Sequence, residues 1–267
     1  MKKRILLFLI LPVIIASCSK VPVTGRKQFR MLPESMILGM SLTAYNDFMA
    51  SNPAVSSTDS RTQLVVNTGN RLKNATVDYL RKHGFSKRIK DFNWQFNLVE
   101  NSTVNAWCMP GGRIVVYSGI LPYTENEAGL ATVMSHEIAH AVARHGNERM
   151  SQQVALALGG ISLAVALQDH PEETQAIFLS VYGIGGGLGV LAYSRKHEYE
   201  ADKIGMVFMA LAGYDPAEGI KFWERMAAKQ SGPSIPQFLS THPSDENRIK
   251  AMKEFLPTAN KYYKPQQ

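Results

Sequence analysis

The sequence has very little cysteine, no internal repeat and no apolar run long enough to span a membrane. Only two of its 267 residues are cysteines, Cys18 and Cys108. A small fold held together by disulfides is therefore excluded. The apolar stretch at residues 5–16 is too short to cross a bilayer as a helix. These absences favour one large domain with an ordinary hydrophobic core.

The chain also lacks a strong excess of charge of one sign. Its formal net charge is +7, and the Lys and Arg residues are scattered rather than clustered. Three of these positive charges lie in the first four residues, so the rest of the chain carries a net charge of +4. Because nucleic-acid binding proteins concentrate basic residues on one surface, nucleic acid is not a predicted partner.

The first 17 residues have the pattern of a secretory signal. Three basic residues at positions 2–4 precede the apolar run, and small residues then lead into Cys18. The sequence Ile-Ala-Ser-Cys at 15–18 resembles a bacterial lipobox, which predicts cleavage before Cys18 and lipidation of that cysteine. The alternative is an ordinary signal peptide with an incidental thiol. We expect a signal peptide at 1–17, a lipidated N-terminus and tether at 18–30, and a single domain at 31–267.

The rest of the chain has a mainly helical pattern with a small early sheet. Apolar residues recur at helical spacing over 62–82, and His83-Gly84 ends that helix. Three short stretches bounded by turn residues then have the pattern of strands. These stretches are 93–99, 104–109 and 113–118. Because helical patterns follow nearly to the end of the chain, the sequence predicts an α+β fold.

One predicted helix carries a metal-binding pattern. Thr124 and Glu127 fit a capping box, and we expect the helix to run from there to about Met150. His136 and His140 lie in this helix, four residues and about 40° apart around its axis, so both imidazoles project from one face. Two imidazoles in this arrangement can bind a tetrahedral Zn²⁺.

Glu137 directly follows His136 and completes the HExxH pattern that is typical of zinc peptidases. In such a site the carboxylate accepts the proton of the attacking water, which the metal activates. The pattern alone arises by chance in about one chain in a hundred of this length. A third ligand therefore decides whether the site is real.

Several residues downstream are candidates for the third ligand that a catalytic zinc needs. They are His145, His170, His197, Glu198, Glu200, Asp202 and His242. His145 is expected to turn away from the metal along the same helix, and His170 lies in a predicted loop. Both are interpreted as surface histidines.

Helix geometry separates the carboxylates of SRKHEYEAD, residues 194–202. Glu198 and Asp202 share one face of a predicted helix, whereas Glu200 lies about 200° from Glu198. We expect Glu198 to bind the zinc, because Asp202 on the same face can then accept the Nδ1–H of a zinc-bound histidine. Glu200 and His197 are expected on other sides of the helix, in solvent or in structural pairs.

Five segments of the chain occur in the order that is found in a known family. They are VPVTGRKQF at 21–29, NAWCMPGG at 105–112, HEIAHAVARH at 136–145, SRKHEYEAD at 194–202 and THPSDENRI at 241–249. Together they resemble the gluzincin metallopeptidases related to the CAAX prenyl endopeptidase, in particular the soluble bacterial periplasmic branch that includes lipoproteins. The resemblance implies a mainly helical zincin-like domain, one Zn²⁺ per chain, Glu198 as the third ligand and Asp202 behind it.

The resemblance also implies a substrate-binding strand. The strand at 104–109 would be an edge strand above the metal. An extended substrate would pair with it through main-chain hydrogen bonds at Asn105, Ala106 and Trp107. Cys108 departs from the apolar or small residue expected there, and is interpreted as a buried thiol. The alternative is a redox-sensitive thiol or a metal ligand that silences the enzyme.

In related periplasmic enzymes the residue matching His242 lies near the zinc. His242 is therefore either a fourth ligand that blocks the open position or a catalytic donor to the oxyanion. A surface or helix-capping histidine is the remaining alternative. Arg248 would orient this segment or the carboxylates of the site.

These observations predict a zinc-dependent metalloendopeptidase. We expect it to be anchored by lipid in the bacterial envelope, more specifically the outer membrane, and to face the periplasm. It would cleave unfolded or misassembled envelope proteins. The alternative is a latent protease that acts mainly as a periplasmic chaperone or assembly factor for outer-membrane proteins, with the assembly machinery as its partner.

Overall fold

The structure is a computed structural model that describes residues 18–157, 171–182, 194–229, 236–243 and 245–265. The predicted signal peptide at 1–17 and His170 lie outside these ranges. Ten α-helices lie within them. They are α1 (Glu34–Ser51), α2 (Ser60–Lys82), α3 (Leu121–Thr124), α4 (Glu127–Ala143), α5 (His145–Ala157), α6 (Pro171–Tyr182), α7 (Arg195–Leu211), α8 (Ala217–Ala228), α9 (Gln237–Thr241) and α10 (Glu246–Ala259).

Five short strands form two sheets in the described part of the chain. Strands β1 (Cys18–Lys20) and β2 (Lys27–Phe29) make an antiparallel pair. The other sheet has the order β3-β5-β4, with β3 (Gln95–Val99) parallel and β4 (Ala106–Met109) antiparallel to the central β5 (Arg113–Tyr117). The mainly helical α+β fold is thus confirmed, and β4 lies at an edge.

Helix α4 is the centre of the core. It is apolar on most sides and buried from Gly129 to Ala143, as expected of a helix surrounded by other elements. Helices α2, α7 and α8 and strand β4 all pack against it. Helix α7 comes closest because of Gly205, where a Cβ would lie 3.2 Å from the backbone nitrogen of His136.

The ends of α4 differ from the sequence predictions. The predicted capping box is wrong, because Thr124 ends α3 and Asn126 is the N-cap; its Oδ1 accepts the N–H of Gly129 at 2.8 Å. The predicted extension to Met150 is also wrong. Arg144 adopts a left-handed conformation with φ 61°, which ends α4, and α5 starts in a new direction at His145.

The segment predicted as a tether, residues 18–30, is instead folded onto the body. We call it the N-terminal hairpin. Val21 is fully buried within it, and Gln28 donates to the carbonyl of Ala143 at 2.6 Å. Arg88 donates to Val142 O at 2.9 Å and also contacts Lys20 O. Gln28 of the hairpin and Arg88 beside it thus bind C-terminal carbonyls of α4 that no helical N–H can reach.

Among the helices that the structure describes, none has the combined length and apolar character required to cross a membrane.

Candidate metal centre

Four side chains converge on one point between α4 and α7. His136 and His140 project from α4, Glu198 from α7, and His242 from the residue after α9. One donor atom from each lies within 4.8 Å of all the others, and all four side chains are buried. The structure therefore brings together the three ligands predicted from sequence and His242, one of whose predicted roles is that of a fourth ligand.

The spacing of these atoms fits a tetrahedral metal. His136 Nε2 lies 3.0 Å from His140 Nε2 and 3.3 Å from Glu198 Oε2, and His140 Nε2 lies 3.4 Å from Glu198 Oε1. Ligand atoms bound to zinc at about 2.0–2.1 Å in a tetrahedron are separated by about 3.3 Å. Two histidines and a glutamate are one of the ligand sets found in catalytic zinc sites.

Asp202 contacts His136 on the side away from the cluster. His136 Nδ1 lies 3.0 Å from Asp202 Oδ1, so the carboxylate accepts the Nδ1–H and leaves the Nε2 lone pair directed at the cluster. Arg248 donates to Asp202 at 2.6 and 2.8 Å and lies 3.1 Å from Glu198 Oε2. Its guanidinium also stacks 3.5 Å above the ring of Trp223, which fixes it in place.

The electrostatics of the cluster favour a cation. Burial holds the pKa of His140 well below its ordinary value, so its imidazole is neutral, as a metal ligand must be. Burial alone would raise the pKa of Glu198. His242, Arg248 and the histidine hydrogen bonds outweigh burial, so the pKa falls well below its usual range. Burial lowers the pKa of His136, but Asp202 and Glu198 raise it more, which favours a positive charge that a metal can supply.

Glu137 lies beside the cluster without joining it. The side chain is 3% exposed, and its Oε1 lies 3.3 Å from His242 Nε2. Burial raises the pKa of Glu137 to about 7, although His242 and the backbone N–H of Cys108 act in the opposite direction. A carboxylate with a pKa near neutrality is suited to accept and return a proton.

His242 is buried rather than on the surface. Its Nδ1 lies 3.2 Å from His136 Nε2 and 3.1 Å from Glu198 Oε1, at the fourth corner of the cluster. Arg248 donates to the carbonyls of His242 and Pro243 at 3.3 and 3.1 Å and so holds this segment against the site. The surface interpretation of His242 is wrong, because the segment folds back over the metal cluster.

Comparison with known proteins agrees with this geometry. A sequence profile described as "Peptidase family M48" matches residues 67–256, which include all four clustered side chains and Glu137. That match covers well over half of the chain. The chain belongs to peptidase family M48. Its predicted gluzincin relationship is thereby confirmed, and the four clustered side chains fit the zinc that M48 metallopeptidases use.

Several M48 proteins are similar to this chain. The "Mitochondrial metalloendopeptidase OMA1" of Schizosaccharomyces pombe is 40% identical over 64% of this chain and 49% of its own length. The human "Metalloendopeptidase OMA1, mitochondrial" is 30% identical over 90% of this chain and 46% of its own length. The "Beta-barrel assembly-enhancing protease" of Escherichia coli is 34% identical over 58% of this chain and 33% of its own length. The chain thus matches half or less of each of these relatives.

The predicted substrate-binding strand lies next to Glu137. Tyr117 N donates to Asn105 O, so Asn105 faces the neighbouring strand. In an antiparallel edge the outward backbone groups then belong to Ala106 and Cys108. The side chain of Trp107 lies on the other face, 5.0 Å from the ring of Phe48. The structure therefore separates the three predicted residues, and a paired chain would meet the backbone of Ala106 rather than of Asn105 or Trp107.

Cys108 occupies the position that the sequence assigns to a buried thiol. It is 8% exposed and lines a small cavity together with His140 and Ile37. Burial raises the pKa of its thiol well above the ordinary value, and the nearby charge of Glu137 adds to this effect. The side chain is therefore a neutral thiol in this structure, which is the less reactive form.

The surface interpretation of His145 is wrong, and sequence reasoning missed the polar cluster around it. His145 is fully buried because the left-handed residue Arg144 ends α4 and the ring of His145 contacts His140 and Glu200. Glu200 is only 5% exposed and pairs with His145, while His197 pairs with Glu148 at 3.1 Å. The predicted structural pairing of Glu200 and His197 holds, but their predicted exposure to solvent does not. The break after Ala143 leaves no obvious signal in the sequence.

Proposed function

We propose that this M48 protein is a zinc-dependent endopeptidase that cleaves unfolded or misassembled proteins of a bacterial cell envelope. The observation that carries the proposal is the position of Glu137, between the four-donor cluster and the outward edge of β4. A peptide paired with that edge would pass directly in front of the base and the metal ligands.

His136, His140 and Glu198 would hold the zinc. When bound, zinc supplies a Lewis acid that polarises the peptide carbonyl and lowers the pKa of water. Glu137 accepts the proton of the attacking water and then returns it to the leaving amine. Asp202 and Arg248 keep His136 and Glu198 oriented throughout, because both are buried and hydrogen-bonded to each other.

The preference for unfolded chains follows from the edge strand. A substrate that adds to β4 must be extended and must have free backbone N–H and C=O groups, which folded proteins rarely present. Main-chain pairing through the outward carbonyl groups of Ala106 and Cys108 also depends little on side chains. We therefore expect broad sequence tolerance and strong dependence on the folded state of the substrate.

We place the enzyme at the periplasmic side of the envelope, held by a lipid on Cys18. The lipobox-like sequence at 15–18 supports this, and the outer membrane is the preferred site. Labelling of growing cells with a fatty-acid analogue tests it. Label should appear on the wild type and disappear in Cys18→Ala. Equal label on both proteins, or no label on either, would contradict the proposed lipid anchor.

A second function is favoured by the position of His242. Its Nδ1 occupies the fourth corner of the cluster, which is the position that a substrate carbonyl or water needs. The protein would then be a latent protease that binds extended chains along β4 and cleaves them rarely. In that form it would act mainly as a chaperone or assembly factor for outer-membrane proteins, with the assembly machinery as its partner.

Digestion of a denatured protein by purified wild type, Glu137→Gln and His242→Ala tests both functions, with zinc measured in each sample. Glu137→Gln should keep its zinc and lose about 10²–10⁴-fold in rate. A faster His242→Ala indicates the latent form, whereas a slower one indicates that His242 is an oxyanion donor. Undiminished digestion by Glu137→Gln would contradict the proposed mechanism.

A further inference from the structure

The two metal-facing histidines of α4 are supported differently. His136 reaches a carboxylate directly, whereas His140 Nδ1 faces another histidine, with His145 Nδ1 at 3.0 Å. The other ring nitrogen of His145 lies 2.9 Å from Glu200 Oε2. His140, His145 and Glu200 are all buried, so bulk water does not compete for these contacts.

The partners determine which nitrogen carries each proton. Glu200 also accepts a hydrogen bond from Arg26 Nε at 2.7 Å. It is therefore an ionised carboxylate that can accept hydrogen bonds but cannot donate one. His145 must therefore donate through Nε2. If His145 is neutral, its Nδ1 has a lone pair that accepts the Nδ1–H of His140. The Nε2 of His140 is then unprotonated and directed at His136 and Glu198, as metal binding requires.

Glu200 is held in turn by the N-terminal hairpin. Arg26 reaches Glu200 at 2.7 Å and also binds both oxygens of Glu148 at 2.8 and 2.7 Å. Thr24 donates its hydroxyl to the other oxygen of Glu200. Because Val21 anchors the hairpin in the core, this carboxylate has little freedom to leave His145.

We infer that His145 is a positioning residue for the metal ligand His140, and that Glu200, held by Arg26, fixes the tautomer of both histidines. This inference rests on the proposed metal site but concerns residues that do not touch the metal or the substrate. The chain of contacts runs from the hairpin through Glu200 and His145 to His140. Orienting partners of this kind typically change metal affinity by about 10–100-fold.

The same polar cluster contains a matched control. Glu148 is also buried and also binds Arg26, but its remaining partners are Gln28 and His197, which lies 3.1 Å away. The ring of His197 stacks on that of His145 with centroids 4.5 Å apart, but its hydrogen bond to Glu148 lies outside the chain of contacts from Glu200 through His145 to His140. Glu148→Gln therefore removes the same charge from the same cluster and leaves the His145–His140 contact in place.

The first test needs no variant. Two-bond ¹⁵N correlation spectra of the histidine rings distinguish the tautomers in the purified, zinc-loaded wild-type protein at one fixed pH. We expect a protonated Nδ1 and a metal-bound Nε2 for His140, and a protonated Nε2 with a bare Nδ1 for His145. A protonated Nδ1 on His145 would overturn the inference.

The second test compares zinc affinities, measured by competition with a chromophoric chelator. His145→Phe keeps the ring shape and should weaken zinc binding about 10–100-fold. His145→Gln can still accept from His140 and donate to Glu200, and should recover part of that loss. Glu200→Gln should weaken binding more than Glu148→Gln. Equal effects of the last two variants, or a wild-type affinity in His145→Phe, would contradict the inference.

A variant that fails to fold does not decide the matter, because the ring spectra of the wild type still test the tautomers. Measurements on two variants also distinguish failure of the proposed metal site from failure of the inference about His145. If Glu198→Gln binds zinc as tightly as the wild type, the proposed site is wrong. If Glu198→Gln loses zinc while His145→Phe binds it normally, only the inference about His145 fails.

Discussion

Helix α7 supports the two histidines of α4 from opposite sides. On one side Asp202 contacts His136 directly and is held by Arg248 from α10, near the end of the chain. On the other side Glu200 acts through His145 and is held by the N-terminal hairpin. We call these the C-terminal support and the N-terminal support.

The two supports differ in how deeply their arginines are buried and in whether the carboxylate contacts the metal-facing histidine directly. Arg248 is fully buried, whereas the side chain of Arg26 is 15% exposed. The C-terminal support places a negative charge next to the ligand His136, whereas the N-terminal support places a neutral ring next to His140. One helix can thus supply a ligand and two orienting carboxylates, provided that other elements pack on both of its sides.

Replacement of the arginine in each support should give the largest difference in stability between the two supports. Arg248→Met leaves Asp202 and Glu198 without their cation in a fully buried site, and should lower the free energy of unfolding by about 3–5 kcal/mol. Arg26→Met should lower it by about 2 kcal/mol, because its partners keep histidine contacts and some access to water. Urea unfolding of metal-stripped proteins measures both values.

An exposed ion pair provides the control for these two variants. The amino group of Lys221 lies 3.2 Å from Glu218 on the surface, and Lys221→Met should leave the stability near that of the wild type. If Arg26→Met proves as destabilising as Arg248→Met, the distinction between the two supports is wrong.

The zinc affinity should depend more on Asp202, which contacts a metal-facing histidine directly, than on Glu200, which acts through His145. Asp202→Asn removes the charge beside His136 and should weaken zinc binding about 10–100-fold. Glu200→Gln should weaken it less, because a neutral ring lies between that carboxylate and the ligand. Chelator competition gives both values, and a larger loss in Glu200→Gln would reverse the comparison.

The contact between α4 and α7 should tolerate little added volume. In Gly205→Ala the new Cβ would lie 3.2 Å from the backbone nitrogen of His136 and from Ser135 Oγ, so the helices must separate slightly. We expect a loss of about 1–3 kcal/mol in unfolding free energy. Gly39→Ala, in α1 and with no atom within 4 Å of the new Cβ, is the matched control and should not be destabilising. Equal stability of both variants would contradict the close approach.

Acid should weaken the ion pair between Glu148 and Arg26 beside the N-terminal support. Burial raises the pKa of Glu148, but Arg26, His197 and Gln28 lower it more, so the net shift is downward. A lowered folded-state pKa stabilises the protein above the unfolded value of about 4.3 and loses this effect as pH falls further. The stability difference between wild type and Glu148→Gln should shrink below about pH 4. A difference that stays constant on acidification would show that the charge of Glu148 is irrelevant.

The fold class and the set of metal ligands could be predicted from local sequence patterns. These patterns depend on the spacing of residues within single helices. His136 and His140 share a face of α4, and Glu198 and Asp202 share a face of α7, wherever those helices lie. The small sheet with β4 at its edge is likewise found where the strand patterns occur.

The environment of Glu200 and His145 could not be predicted in this way. Their burial depends on the left-handed residue Arg144, which redirects the chain, and on the docking of the hairpin against α7. Both are tertiary effects with weak local signals. The position of His242 near the metal was expected only from the resemblance to related enzymes, and in the structure Arg248 holds its segment there by binding the carbonyl groups of His242 and Pro243.

The zinc content of three purified proteins tests the central claim most directly. Wild type and Glu200→Gln should each hold about one zinc per chain when the metal is supplied in excess, and Glu198→Gln should hold little. Only proteins that hold zinc should digest a denatured substrate. Zinc retained by Glu198→Gln and lost by Glu200→Gln, or a wild type that binds no zinc, would contradict the account.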